Sequence, residues 1–179
     1  MKKTILILTA LAITLAAFAA LADDNTIIGA AKCKMCHKKP AVGEQFKIWS
    51  ESSHASAYAT LKGEEAAAIA KEKGLGNAWE EAACLKCHDT QAFLGAELDP
   101  KTKYTIEEGV GCEACHGAGS GYKKKSVMQD HDAAVAAGLI LEGEATCIKC
   151  HNEESPTFKA FVFEERWAEI AHPIPEATE

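Results

Sequence analysis

Apolar and polar positions follow a helical period along much of this chain, in segments that are short. Within residues 44–61, His54, Ala57, Tyr58 and Leu61 fall at i, i+3, i+4 and i+7, which predicts a helix with His54 on its apolar side. The residues next to His54 are mostly Ser and Ala. Such small side chains would let a flat ligand approach the helix closely.

Further periodic segments predict more helices of the same kind. They are an Ala-rich helix over 64–73 ended by Gly74 and Gly76, a helix over 127–137 closed by Gly138, and a last amphipathic helix formed by Phe163, Trp167, Ile170 and Ala171 that ends at His172. Asn77 with Glu80 resembles an N-cap and its capping-box partner before a short helix. Residues 104–106 are β-prone and predict at most one short strand. The pattern therefore predicts a mainly α fold with extensive irregular loops.

A five-residue pattern, Cys-x-x-Cys-His, occurs four times, at residues 33–37, 84–88, 112–116 and 147–151. The four copies use all eight cysteines and four of the seven histidines. Cysteines three positions apart lie on one helical turn and can form thioethers to both vinyl groups of one haem, while the following histidine binds the iron. The motifs predict four covalently bound haem c groups.

The predicted haem-binding residues follow directly from the motifs. The thioether cysteines are Cys33, Cys36, Cys84, Cys87, Cys112, Cys115, Cys147 and Cys150, and the proximal iron ligands are His37, His88, His116 and His151. Zinc sites, a redox-active cysteine pair or four disulfides are alternative uses of such cysteines. None of these alternatives explains a histidine after the second cysteine in every copy.

Residues 1–22 have the layout of a secretory signal peptide. Lys2 and Lys3 precede an apolar run, and small residues precede Asp23, as expected for a cleavage site. An uncleaved membrane anchor is the alternative, but the apolar run barely reaches spanning length. We therefore predict an exported, periplasmic protein without stable membrane insertion, whose mature residues 23–179 form one tetrahaem domain. Export agrees with the motifs, because bacteria attach haem c outside the cytoplasm.

The charge of the chain limits its partners. The formal net charge is -7, and loss of Lys2 and Lys3 lowers it to -9. An acidic surface disfavours nucleic acid and anionic membranes as partners, and it suits either simple solubility or docking to a basic patch on a redox protein. Residues 123–125 are three consecutive lysines and form a basic cluster.

The three remaining histidines, His54, His131 and His172, are the candidate distal iron ligands. Each lies on a predicted helix or at its end, beside apolar or small residues. Three ligands for four irons leave one iron open, or completed by water, a lysine or a neighbouring subunit. Met128 is one helical turn from His131 and is expected to serve in packing.

The chain resembles the tetrahaem cytochrome c-554 family over nearly the whole mature length. The resemblance rests on the Cys-x-x-Cys-His copies followed by Trp49 and residues 53–55, on residues 104–106 leading to the glycine-framed third motif at 109–117, on residues 130–131 and on the aromatic helix ending in His172. It implies a small multihaem cytochrome c fold organised around four covalently bound haems.

The resemblance also implies a set of iron ligands. By matching motif, it pairs His37 with His131, His116 with His54, and His151 with His172, leaving the iron of His88 five-coordinate. An insertion before His131 and a shorter stretch before His172 are departures from the family pattern.

The expected function is electron relay between redox partner proteins through closely spaced haems, by a monomer or weak oligomer. Two alternatives remain at this point. An enzyme could reduce nitric oxide or a similar small molecule at the open iron of His88, or the chain could be a subunit of a cytochrome filament. We expect the carrier rather than an enzyme, because an open iron is not by itself a catalyst.

Overall fold

The computed structural model describes residues 25–141 and 143–172. Within them the chain forms eleven short α-helices joined by turns and three 3-10 helices. The helices are α1 (Ala30–His37), α2 (Gln45–Ser50), α3 (Ala57–Thr60), α4 (Glu64–Glu72), α5 (Ala82–His88), α6 (Thr90–Leu94), α7 (Cys112–His116), α8 (Lys125–Met128), α9 (His131–Ala136), α10 (Glu144–Cys147) and α11 (Phe163–Ile170). The 3-10 helices are Pro40–Val42, His54–Ser56 and Ile106–Glu108.

The predicted mainly α class with irregular loops is confirmed. Across the described residues, β pairing is limited to one parallel bridge between Ile27 and Leu98. Residues 104–106, where at most one short strand was expected, form no strand, and Ile106 begins a 3-10 helix. Helices α4 and α11 lie where the periodicity predicted them.

The predicted helix over residues 44–61 is interrupted between α2 and α3. Ser50 donates its hydroxyl to Lys47 O and Ser52 donates to Trp49 O. Serine hydroxyls that bond to the backbone compete with helical hydrogen bonds, so the helix stops and a 3-10 turn begins at His54. Phe46 and Trp49 do share a face, with ring centroids 5.2 Å apart.

Two other helix boundaries differ from the prediction. The helix expected over residues 127–137 is split into α8 and α9, because the Asp130 carboxylate accepts a hydrogen bond from Ala133 N and so caps a new helix. Asn77 does bond to Glu80 through its side chain, at 2.9 Å. However, the two residues form a turn, and α5 begins later with Glu81 at its N-cap.

The largest cluster of buried apolar residues lies under α3 to α5. Tyr58, Leu61, Ala70 and Ala78 form its centre, and Trp79 packs against it. Elsewhere several large apolar side chains are exposed, including Met35 at 67%, Leu141 at 55% and Ile148 at 46%. Met35 and Ile148 lie inside the first and fourth motifs. The polypeptide therefore leaves apolar surface beside the motifs.

A buried carboxylate in the third motif holds the start of the described chain in place. Glu113 accepts backbone N–H groups from Ile28 at 3.0 Å, Gly29 at 2.8 Å and Gly119 at 2.6 Å. Glu108 accepts the N–H of Ala30 at 2.9 Å, at the first residue of α1. These two acidic side chains fix the first motif helix against the third.

The predicted signal peptide, residues 1–22, lies outside the described residues. Within the described part of the chain, no helix is long and apolar enough to cross a membrane.

Candidate haem centres

Each Cys-x-x-Cys-His motif lies on a short helix or on the turn that continues it. The first and second motifs form the last turns of α1 and α5, and the third occupies all of α7. The fourth begins at the end of α10, where Cys150 N and His151 N both bond to Cys147 O. Each pair of cysteines is thus separated by one turn, as the thioether prediction requires.

None of the eight cysteines forms a disulfide in the structure. Within residues 25–141 and 143–172, no group of three or more His, Cys, Asp or Glu side chains is arranged to hold a bare metal ion.

Cysteines of different motifs contact one another. The Cys112 thiol is hydrogen-bonded to Cys33, and this bond together with burial raises the pKa of Cys112 far above its ordinary value. Burial and the nearby Cys87, to which it is also hydrogen-bonded, raise the pKa of Cys150 to about 12, and Cys115 adds to the effect. The first motif therefore adjoins the third, and the fourth motif adjoins the second and the third.

A small cavity lies where three of the motifs meet. It has a volume of about 50 Å³, and its walls include Cys87, Cys115, Cys147 and Cys150. The ring of His54 lines the same cavity. One candidate distal ligand is therefore close to cysteines of the second, third and fourth motifs.

Two of the motif histidines, His37 and His88, have the hydrogen bonds that orient an iron ligand. His88 Nδ1 lies 2.7 Å from the carbonyl oxygen of Ala57, and His37 Nδ1 lies 3.3 Å from Gln45 Oε1. Because a carbonyl oxygen only accepts, Nδ1 of His88 donates, and its Nε2 keeps the lone pair that binds a metal. His172 has the same arrangement, with Nδ1 2.8 Å from Ile170 O.

Two of the three candidate distal histidines face a motif histidine. The ring centroids of His54 and His151 are 6.0 Å apart, and those of His116 and His172 are also 6.0 Å apart. With metal–imidazole bonds of about 2.0 Å, two imidazoles on opposite sides of one metal have ring centres roughly 6 Å apart. The donor set and the spacing both fit two bis-histidine irons.

The ring contacts differ from the ligand pairs that the resemblance implied, and the pairs themselves stay a prediction. His54 contacts His151 rather than His116, and His172 contacts His116 rather than His151. Two hydrogen bonds hold the segment that carries His54. Val110 N donates to His54 O, and Trp49 Nε1 donates to Val110 O. These bonds position His54 above the loop that precedes the third motif, with its ring towards the fourth.

The third candidate, His131, has a different environment. It is the first residue of α9, its side chain is 68% exposed, and its Nδ1 lies 3.3 Å from Asp132 Oδ1. Among the described residues, no ring contact joins His131 to His37. The pairing of these two histidines stays a prediction.

The fourth motif has an apolar cleft beside it. A cavity of about 100 Å³ is lined by His54, Cys147, His151, Phe161, Arg166, Trp167 and Ile170. Phe161 stacks on the His151 ring at 5.0 Å between centroids. Burial, with a smaller effect of His151, lowers the pKa of His54, and burial with the charge of Arg166 lowers the pKa of His151. Both rings are thereby kept neutral, which is the form that binds iron.

Several residues of these sites were not predicted from the sequence. Phe161 and Arg166 line the cleft of the fourth motif, and Gln45 and the Ala57 carbonyl orient His37 and His88. Arg166 is the single arginine of the chain, a feature of composition that could have marked it. The contact of the Ala57 carbonyl with His88 involves a backbone atom, so no residue type in the sequence could have indicated it.

Comparison with known proteins agrees with this geometry. The family described as "Cytochrome c554 and c-prime" matches residues 32–117, which contain the first three motifs. "Cytochrome c-554" of Nitrosomonas europaea is 32% identical over 167 residues. This chain belongs to the cytochrome c-554 family. The match covers 82% of this chain and 66% of that relative, so the chain spans about two thirds of the relative's length.

Membership of the cytochrome c-554 family identifies the chain as a c-type cytochrome, for which covalently bound haem c is the expected cofactor. No solved structure matches the chain.

Proposed function

We propose that this member of the cytochrome c-554 family is a periplasmic tetrahaem electron carrier. Its signal peptide, residues 1–22, would direct export, and residues 23–179 would carry one haem c at each motif. The observation that carries the proposal is the contact between cysteines of different motifs, Cys33 with Cys112 and Cys87 with Cys150. Groups attached through these cysteines are neighbours, and neighbouring redox groups can exchange electrons.

When bound, each haem supplies an iron that alternates between the ferric and ferrous states. The chain's own residues hold and tune these irons. The eight motif cysteines attach the porphyrin edges, and the four motif histidines bind the irons. His54 and His172 would bind the irons together with His151 and His116, and His131 is the candidate partner of His37.

The surroundings of the fourth motif support a role in electron transfer. Phe161, Trp167 and Ile170 line its cleft with apolar surface, which excludes water and lowers the local dielectric constant. Exposed apolar side chains at Met35 and Ile148 give the first and fourth motifs further apolar contact surface. A porphyrin at each motif would bury such surface, so the cofactors would complete the small apolar core of the polypeptide.

The experiment that tests the proposal is haem quantitation with a reductive titration. The full chain is expressed with its signal in a bacterium that attaches haem c, and the mature product is analysed by mass spectrometry. We expect a chain shortened by 22 residues, four covalent haems and four one-electron reductions. A mature product with the bare polypeptide mass would refute the proposal, and so would haems that do not exchange electrons with one another.

A further inference from the structure

We infer that the first motif is the docking site for a redox partner with an acidic surface. This inference rests on the proposed function, and it concerns a surface opposite in sign to the rest of the protein. The chain has a formal net charge of -7. Residues 32–47, by contrast, contain five lysines and one glutamate. Five of the nineteen lysine and arginine residues of the chain therefore lie in this sixteen-residue stretch around the first haem-attachment site.

Four of these lysines form what we call the first-motif patch: Lys34, Lys38, Lys39 and Lys47. All four are exposed. Lys34 lies inside the motif, and its Nζ is 4.8 Å from the centroid of the Phe46 ring on α2. Lys47 is on the same helix, which packs against α1. The patch is thus one continuous surface made by α1, α2 and the turn between them.

In the part of the chain that the structure describes, the lysines of the patch form no ion pair with a carboxylate. Among the described residues, the ion pairs of lysine join Lys86 to Glu154 and Lys123 to Asp99, and none involves a member of the patch. Lys86 shows the contrast, because it lies inside the second motif and has a carboxylate 2.5 Å away. The second motif therefore presents a paired lysine, whereas the first presents unpaired ones.

The centre of the patch suits electron transfer. Lys34 lies inside the first motif and Lys38 and Lys39 follow it directly, so the patch surrounds the haem-attachment point. An apolar haem edge surrounded by charges would have the usual layout of a transient protein interface. A haem has two propionates, so even if each took one lysine, two lysines of the patch would remain for a partner.

A protein fits this surface better than a membrane does. The lysines surround a haem-attachment point, and a partner must carry its own redox centre to exchange electrons there, which a lipid surface does not. A partner with carboxylates around its own redox centre would match the patch and bring the two centres together. One electron then passes from the partner, which is oxidised, to the iron held by His37, which is reduced from ferric to ferrous.

The test uses two variants of the haem-loaded protein with the same net charge. The patch variant carries Lys34→Gln, Lys38→Gln, Lys39→Gln and Lys47→Gln. The control variant carries Lys71→Gln, Lys101→Gln, Lys124→Gln and Lys125→Gln, all exposed lysines away from the first motif. Stopped-flow absorbance records the reduction of each protein by reduced flavodoxin, an acidic one-electron donor, from about 10 mM to about 500 mM salt. Reduced lumiflavin serves as an uncharged donor.

We expect the rate with flavodoxin to fall as salt rises in the wild type, although both proteins are acidic, because local attraction at the patch outweighs net repulsion. At low salt the patch variant should react about tenfold more slowly than the control variant. With lumiflavin the three proteins should react at equal rates. Equal rates of the two variants with flavodoxin, or a wild-type rate that rises with salt, would overturn the inference.

A sedimentation assay with phosphatidylglycerol vesicles covers the membrane alternative. Patch-dependent sedimentation together with equal flavodoxin rates would assign the patch to lipid and overturn the docking inference. Failure of the proposed function is separate from either result, because it would appear as missing covalent haem or as no reduction by lumiflavin. In that case both proposals fail.

Discussion

The imidazole rings of His54 and His151 lie 6.0 Å apart between centroids, with their planes inclined by 67°. They are 97 positions apart along the chain, and His54 belongs to the 3-10 helix between α2 and α3. The rings of His116 and His172 repeat the relationship at 6.0 Å and 68°. Under the proposed function, the two pairs would make His54 the distal ligand at the fourth motif and His172 the distal ligand at the third.

This assignment predicts how ligand and motif variants combine. His54→Ala should convert one low-spin ferric haem to high-spin, as seen by electron paramagnetic resonance. In a protein that lacks the fourth haem through Cys147→Ala and Cys150→Ala, His54→Ala should add no further high-spin signal, because its iron is already gone. His172→Ala should still add one there.

The mirror-image control removes the third haem through Cys112→Ala and Cys115→Ala. In that background His172→Ala should add no high-spin signal, whereas His54→Ala should add one. The opposite outcome in both backgrounds would restore the pairing that the resemblance implied.

One iron of the oxidised wild type should be high-spin. The chain has three histidines outside the motifs, and two of them face His151 and His116, so His131 alone is left for the irons of His37 and His88. Paramagnetic resonance should therefore show one high-spin and three low-spin haems, and added imidazole should convert the high-spin signal. A wild-type spectrum with four low-spin haems would contradict the open site.

Gly109→Ala should disturb His54. Gly109 has φ +61°, and a Cβ there would lie 2.8 Å from His54 O and 3.1 Å from Ala57 N. Neither backbone atom can move without shifting the 3-10 helix that carries His54, so we expect a loss of more than about 2 kcal/mol in the free energy of unfolding. The low-spin signal that depends on His54 should weaken as well.

Gly95→Ala is the comparison for Gly109→Ala. Gly95 has φ +62° and ψ +20°, in the left-handed helical region, and nothing lies within 4 Å of its Cβ position. Only a conformational cost of about 1 kcal/mol applies there. Gly109 has ψ -129°, a backbone conformation that alanine adopts less readily. Denaturant titrations should therefore show a larger loss for Gly109→Ala, from crowding and backbone strain together, and equal losses would show that both are small.

Glu113→Gln should be among the more destabilising polar changes. The carboxylate accepts three backbone N–H groups, from Ile28, Gly29 and Gly119, and the side chain is buried. A glutamine would turn an NH₂ group towards N–H donors and leave at least one of them unsatisfied, at a cost of about 2 kcal/mol. Guanidinium unfolding measures the loss, and the exposed Glu153→Gln should stay within about 0.5 kcal/mol of the wild type.

Ionisation of the Glu108 carboxyl group should lower the free energy of unfolding as the pH rises. Burial raises the pKa of its carboxyl group, against the smaller opposing effect of the Ala30 N–H. Between the unfolded value of about 4.3 and this raised pKa, the folded state binds more protons than the unfolded state, so the free energy of unfolding decreases with pH. The difference between wild type and Glu108→Gln should show this slope in denaturant midpoints across that window.

The neighbouring Glu107 should affect the pH dependence of stability with the opposite sign. Hydrogen bonds lower the pKa of its exposed carboxyl group, so its contribution is lost as pH falls rather than as it rises. A Glu107→Gln difference curve with the same sign as that of Glu108→Gln would contradict both assignments.

Local pattern predicted the elements better than their boundaries. Helices α4 and α11 follow from periodicity and from the residues that end them. The break after α2 depended on the hydroxyls of Ser50 and Ser52 bonding to the backbone, and the break before α9 depended on the Asp130 cap. Serine and aspartate occur both inside and at the ends of helices, so periodicity alone does not distinguish these cases.

The sequence by itself determined which side chains could attach and bind haem, because that chemistry needs two cysteines and a histidine on one helical turn and nothing from elsewhere in the chain. Only the tertiary structure decided which motifs adjoin and which distal histidine faces which motif. Those relationships depend on long-range contacts, such as Val110 N to His54 O and the Glu113 carboxylate to Gly29 N. Contacts between residues far apart in the chain leave no spacing that a motif can record.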